Sequence, residues 1–332
     1  MLRSRRVAFP DNTTGVYRAY EEAYELGWTD GLPIIPPTAE LVQAFVDCLG
    51  RDPTEVVAEI PPRYGVATVE KIAINAVMAG CRPEYWPILL AAIEAMVEPR
   101  FNLNGIQATT ASAAPLLIVN GPIRDQVGIG YGSNALGQGN RANATIGRAL
   151  RLILLNVGGG IPGSVDEATL GQPGKYTFCL GENEEDSPWE PLHVERGFRR
   201  EQSTATVVGV NGTQSIVVTG QDAERVLTVI ANSINIMGCP ANCGFPVDSL
   251  EPMLIMCSTH AKVLAAAGLS KRDVQQILWE RARIPIELFP SSLAEAIIPQ
   301  GRVVDGKVGS ARRPEDIIIV VAGGSSGLHT TY

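Results

Sequence analysis

The feature that most limits the fold is a rhythm in the sequence after about residue 105. Short apolar runs at 115–120 (PLLIVN), 206–210 (TVVGV), 215–219 (SIVVT), 253–257 (MLIMC) and 316–322 (DIIIVVA) are bounded by Gly, Pro or Asn. Runs of this length have the form of strands covered on both faces. Between them lie segments with helical spacing at 141–157, 222–237, 260–267 and 271–283. Strands alternating with helices predict an α/β fold with largely parallel sheets and flanking helices.

Upstream the pattern is helical. Apolar residues recur at helical spacing over 16–28. The prolines of TDGLPIIPPT (29–38) forbid regular helix, and Thr38 can cap a helix that follows it. A helix over 68–79 opens on Thr68 and stops at Gly80, and one over 83–96 opens on Pro83. These signals divide the chain into an N-terminal, mainly helical segment (1–100) packed on the core, a first α/β half (101–220) and a second (221–332). The halves show a partial repeat. Asn120-Gly121 and Asn211-Gly212 each follow a strand. A helix ending in Gly158 or Gly238 comes next, then a strand carrying Cys179 or Cys257. Two pseudo-symmetric halves are the expectation.

Composition narrows the function. A net charge of −8 argues against a nucleic-acid binder, which needs a basic face. The longest apolar runs fall well short of the ~20 residues that span a bilayer. No apolar stretch follows the N-terminal arginines as a signal peptide requires. The expectation is a cytoplasmic protein whose six cysteines stay reduced.

In an open α/β sheet, ligands bind beyond the carboxyl ends of the strands. That rule selects Asn120, Gly121, Asn211, Gly212, Glu182, His260, Gly323 and Gly324, and related halves would bring them to one cleft. Asn104, Thr109 and Thr110 lie in FNLNGIQATTASAAP (101–115), whose neutral donors and acceptors suit substrate orientation or simply satisfy loop backbone. The loop GIGYGSNALGQG (128–139) precedes a helix and reads equally as an anion cradle or a lid. Cys239 and Cys243 in GCPANCG (238–244) sit in a loop where a core cysteine is unusual, and read as functional thiols. Cys48, Cys179 and Cys257 read as packed core. His260 and His329 follow strands, and His193 lies among acids. Glu182 is the member of the acidic run 182–186 to watch, the others reading as solvated. A divalent metal held by His260, His329 and Glu182 is the alternative to thiol chemistry.

Several stretches together carry a resemblance: DGLPIIPPT, TVEKIAINAVMAGCRPEYWPILLAAIEAM, FNLNGIQATTASAAPLLIVNGP, ANATIGRALRLILLNVGG, GQPGKYTFCLGENEEDSPWEPLHVERGF and RPEDIIIVVAGG. Over residues 28–324 the chain resembles bacterial proteins associated with the UGSC-type (seleno)protein family, which are linked to glycine/sarcosine/betaine reductase systems. No UGSC or CGSC tetrapeptide is present here. The resemblance therefore places Sec/Cys chemistry on a partner subunit or on Cys239 and Cys243.

The expected function is an enzyme or catalytic subunit acting on a small polar, carboxylate-type substrate. Thiol-dependent redox or C–X cleavage, or proton-transfer lyase chemistry, would use Cys239, Cys243, His260 and Glu182. A metal-assisted lyase or hydrolase is the second reading. A non-catalytic partner of a UGSC-type subunit is the third. A homo-oligomer is expected, with the apolar stretch 85–97 as a contact or a buried helix.

Overall fold

A computed structural model of the chain describes residues 3–4, 7–10, 12–220, 222–238, 251–325 and 327–332. Cys239 and Cys243, with most of the GCPANCG loop, lie outside the described residues. The chain forms two compact units. The first comprises Met1–Gly130, Ala135–Gly181 and Arg199–Gly212; the second comprises Tyr131–Asn134, Glu182–Phe198 and Thr213–Tyr332.

The first unit begins with α1 (Thr13–Glu25) and α2 (Ala39–Leu49). The Thr38 hydroxyl caps α2 by accepting from the Leu41 N–H, and Gly50 ends the helix in the left-handed conformation. A hairpin of β1 (Val56–Ile60) and β2 (Gly65–Thr68) follows, then α3 (Val69–Ala79), capped by Thr68 and stopped at Gly80. Next come α4 (Trp86–Val97), α5 (Leu103–Gln107), β3 (Ala114–Asn120) and α6 (Ile123–Val127). The long α7 (Arg141–Asn156), β4 (Cys179–Gly181) and β5 (Thr204–Val210) complete the unit.

Every residue of β3 is buried. It is the middle strand of a three-stranded sheet, parallel to β4 and antiparallel to β5. A strand covered on both faces needs an unbroken apolar run, which PLLIVN supplies. Ile72 of α3, Ile93 of α4, Leu117 and Val119 of β3, and Ile146 and Ile153 of α7 belong to one hydrophobic core. The N-terminal helices and β3 thus share a core across residue 100. The apolar 85–97 stretch forms α4, whose Trp86, Leu89 and Ile93 are fully buried in that core.

The second unit contains α8 (Leu192–Glu195), β6 (Ser215–Val217), α9 (Ala223–Ser233), β7 (Met253–Met256), α10 (Ser258–Ala266) and α11 (Lys271–Arg281). It continues with β8 (Arg283–Pro285), α12 (Ser291–Ile297), β9 (Val303–Val304), β10 (Lys307–Gly309), β11 (Ile318–Val321) and β12 (His329–Thr331). Strands β8, β10 and β9 make a small antiparallel sheet. The main sheet has the order β11-β7-β12-β6. Its core joins Leu254 and Met256 of β7, Ile319 and Val321 of β11, Ile230 of α9, and Leu264 and Leu278 of the flanking helices.

The protein is therefore an α/β fold with mixed sheets, where largely parallel ones were expected. In the main sheet β7 and β11 are parallel, but β12 runs antiparallel to both β7 and β6. The reason is connection length. Only residues 322–328 join β11 to β12, and a parallel return needs a crossover of about a dozen residues or more. Among the described residues, no helix is long and apolar enough to cross a membrane.

Candidate functional site

The parallel pair β7 and β11 is in register, with Met253 opposite Ile318 and Met256 opposite Val321. Cys257 and Ala322 consequently leave the sheet at the same end. Cys257 is the N-cap residue of α10, with extended backbone at φ −66° and ψ 151°. Its side chain is 4% exposed. Its thiol donates to the Gly327 carbonyl at 3.4 Å. Burial pushes the thiol up from its ordinary range, and burial prevails. Against it the nearby backbone N–H groups of His260, His329, Thr259 and Cys257 itself favour the thiolate. Across from it Gly327 approaches so closely that an added Cβ would lie 3.2 Å from the Cys257 Cβ.

The acidic stretch beginning at Glu182 lies at the same end of the sheet. The Asn183 N–H donates to the Val321 carbonyl at 2.7 Å, which ties the stretch to the last residue of β11. The Asp186 carboxylate takes the Lys262 ammonium from α10, and Trp189 Nε1 donates to the Leu269 carbonyl at 3.0 Å. Lys262 above all holds the Asp186 carboxyl below its usual range. Lys271 binds the Glu190 carbonyl at 2.7 Å and Glu195 Oε2 at 3.0 Å.

Along this tied stretch Glu184, expected to be solvated, turns inward together with its neighbours. Glu182, Asn183, Glu184 and His193 are all buried. Glu182 Oε2 accepts from the Leu192 N–H at 2.8 Å, at the start of α8. Glu184 Oε1 lies 3.9 Å from His193 Nδ1. That separation is beyond a direct hydrogen bond and within reach of an ion pair should the ring be protonated.

His260 has a different role from the acid/base one expected. It is fully buried on α10. Nε2 lies 3.1 Å from the Val218 carbonyl and Nδ1 lies 2.9 Å from the Thr330 hydroxyl. A carbonyl only accepts, so Nε2 carries the proton and Nδ1 accepts from Thr330. The ring is thereby a neutral tie between α10, β12 and the end of β6. Burial lowers its proton affinity below the imidazole value of 6.5. A folded state that binds the proton less readily than the unfolded chain keeps its stability above about pH 6.5 and loses it as pH falls below that value. The thermal midpoint of the wild type is therefore expected to fall from pH 7 to pH 5. In His260→Gln that fall shrinks. An unchanged pH slope in the variant overturns this assignment.

The other expected residues are dispersed. His329 lies on β12 with Nδ1 3.2 Å from the Ser215 hydroxyl. His260, His329 and Glu182 each hold these separate partners. Among the described residues no group of three or more His, Cys, Asp and Glu side chains could hold a metal ion. Gly323, in the left-handed region at φ 97°, donates its N–H to the Tyr131 carbonyl at 2.9 Å. An added Cβ on Gly324 would meet the Ser133 side chain.

In the first unit the two Asn-Gly pairs do not converge. Strand β5 is antiparallel to β3, with Asn120 opposite Thr204 and Ala114 opposite Val210. Asn120-Gly121 and Asn211-Gly212 therefore lie at opposite ends of the sheet, about 20 Å apart at 3.3 Å per residue. Thr109 Oγ1 accepts from the Ala111 N–H at 3.0 Å, and the Thr110 carbonyl accepts from Thr169 at 2.9 Å. Asn104 is exposed on α5, its carbonyl accepting from Ala108. These contacts tie 104–110 to its own backbone and to Thr169. The glycine-rich loop is pinned at both ends in this unit. Asn143 bridges Gly130 through its N–H and carbonyl at 2.7 and 2.8 Å, and Asn140 Nδ2 donates to the Gly128 carbonyl at 2.9 Å. Asn140 Oδ1 also takes the Asn143 N–H at the start of α7. Burial pushes the Cys81 thiol up to about 12 and the Cys179 thiol higher still, while Cys48 is exposed.

Sequence reasoning passed over Cys257, Glu184 and His193. The strand-end rule that selected His260 selects Cys257 equally well, since Cys257 is the first residue after β7. No family model, no curated protein and no solved structure matches this chain.

Proposed function

We propose that the protein is a thiol-dependent enzyme for a small polar, carboxylate-bearing substrate, with Cys257 as its nucleophile. The observation that carries this reading is the position of Cys257 as the N-cap residue of α10, beside the backbone N–H array that opens that helix. Such an array favours a thiolate once the proton leaves, and it attracts an anionic substrate. The resting thiol is protonated, because burial prevails. The Glu184–His193 pair, on the segment tied to the end of β11, is the group that would accept the proton, since both ring nitrogens of His260 are engaged. In the C–X cleavage form, sulfur bonds to the carbon, the C–X bond breaks, and X leaves with the electron pair. A second thiol or selenol then attacks the same carbon and releases Cys257. The resemblance to proteins of the UGSC-type system implies a partner subunit of that chemistry, and Cys239 and Cys243 are candidates within the chain. This reading places the protein in a reducing compartment such as the cytoplasm.

Alkylation of the folded protein, read by peptide mass spectrometry, tests the proposal. Cys257 is expected to react faster with iodoacetate than with iodoacetamide, by about threefold or more, because donors at a helix N-terminus favour the anionic reagent. Exposed Cys48 serves as the internal control with the opposite preference. Labelling of Cys257 should accelerate as pH rises above the ordinary thiol range. Labelling only after unfolding overturns the proposal and favours a non-catalytic partner.

A further inference from the structure

A polar groove in the first unit stands apart from the thiol centre. It encloses about 400 Å³ and is lined by Arg82, Glu84, Tyr85, Gln126, Val127 and Gly128. That volume falls within the range of small-molecule sites. The floor is set by local structure. Arg82 and Glu84 flank Pro83 at the turn that opens α4, and Gly128, at φ 71°, ends α6 opposite them.

Three features of the groove point to a ligand. Tyr85 is only 3% exposed, with its ring in the core, yet its hydroxyl makes no hydrogen bond to any described residue. Tyr85 nonetheless lines the groove, so its unpartnered hydroxyl is presented there as a donor or acceptor for a ligand. The exposed Arg82 and Glu84 side chains likewise form no ion pair with another described residue. Arg141 adds a second cation. Its Nε and Nη2 donate to the Gly80 carbonyl at 3.3 and 3.0 Å, which fixes the guanidinium and leaves further donors. The charges of both Arg82 and Arg141 act on the Tyr85 hydroxyl, opposing the effect of its burial, and Glu84 acts in the other sense.

We infer that this groove binds a small zwitterion of the α-amino acid class, its carboxylate on Arg82 and Tyr85 and its ammonium on Glu84. Guanidinium and phenol donors together match a carboxylate. The Glu84 carboxylate matches the adjacent ammonium and disfavours dianions such as phosphate. The site does not depend on the thiol reading.

Calorimetric titration of the full chain tests this with L-alanine, propionate, ethylamine and inorganic phosphate. Alanine is expected to bind saturably with a Kd of about 1 mM or below. Propionate and ethylamine, each lacking one charge, should bind about tenfold more weakly. Arg82→Ala should weaken alanine at least about tenfold, and Tyr85→Phe about tenfold, with unchanged thermal midpoints. Glu84→Gln should remove the preference for alanine over propionate. Cys257→Ser should bind alanine as the parent does, so this site and the thiol reading fail separately. No saturation by about 50 mM alanine, equal affinity in Arg82→Ala, or tighter binding of phosphate than alanine overturns the inference.

Discussion

Replacing Trp86 with alanine is expected to lower the thermal midpoint by roughly 10 °C. Trp86 is fully buried at the start of α4. Its ring meets Phe45 edge-on, with centroids 5.9 Å apart and planes at 76°. Its indole N–H donates to the Phe45 carbonyl. Truncation removes the largest fully buried side chain of the core and leaves a cavity between α2 and α4. It also strips the Phe45 carbonyl of its donor. Buried Trp→Ala changes cost about 3–5 kcal/mol. In a unit of this size each kcal/mol moves the midpoint by about 2–4 °C. Trp86→Phe should keep much of the packing and lose chiefly the hydrogen bond, about 1–2 kcal/mol. Calorimetric or circular-dichroism melts separate these. A shift of less than about 3 °C for Trp86→Ala means that α4 does not anchor the core.

Gly121→Ala is expected to have an effect of similar size for a different reason. Gly121 follows β3 with φ 81°, in the left-handed region. An added Cβ would lie 2.7 Å from the Ser203 Cα and closer still to the Gln202 carbonyl oxygen. The backbone conformation alone costs a non-glycine residue about 1–2 kcal/mol. The clash is with backbone, which cannot rotate away, so β5 must shift and weaken its pairing with β3. The expected total is about 3–4 kcal/mol, within the range of strain and overpacking combined. Gly128→Ala is the control. Gly128 has φ 71° but nothing within 4 Å of an added Cβ, so only the same conformational cost of about 1–2 kcal/mol applies. Equal destabilisation by the two substitutions would show that close approach at Gly121 contributes nothing.

The elements that were legible in the sequence are those whose cause is local. Thr38 and Thr68 cap their helices through N–H groups three residues away, and Gly50 and Gly80 end them by conformational freedom. The runs at 115–120, 253–257 and 316–322 became β3, β7 and β11 because apolar stretches of that length leave water wherever they pair. The β1–β2 hairpin was not visible. Its strands are short and partly exposed, and the turn is Pro61-Pro62-Arg63-Tyr64. Nor was β12, whose residues are His329, Thr330 and Thr331.

The site shows the same division. That chemistry-bearing residues follow β7 and β11 could be read from strand ends alone. Whether a residue there faces a cleft or the core could not. His260 is held by Val218 and Thr330, 42 and 70 residues away along the chain. Glu184 and His193 are inward because Asn183 is tied to Val321 and Asp186 to Lys262. The separation of Asn120 from Asn211 follows from the direction of β5, which an apolar run does not encode. The amino-acid sequence by itself determined the caps, the stops and the α/β alternation, because those depend on neighbours within about one helical turn. Only the tertiary structure decided strand direction, the inward turn of the acidic segment and the burial of Cys257 against Gly327. Those depend on pairings between residues far apart in the chain, where burial sets which polar groups must find each other.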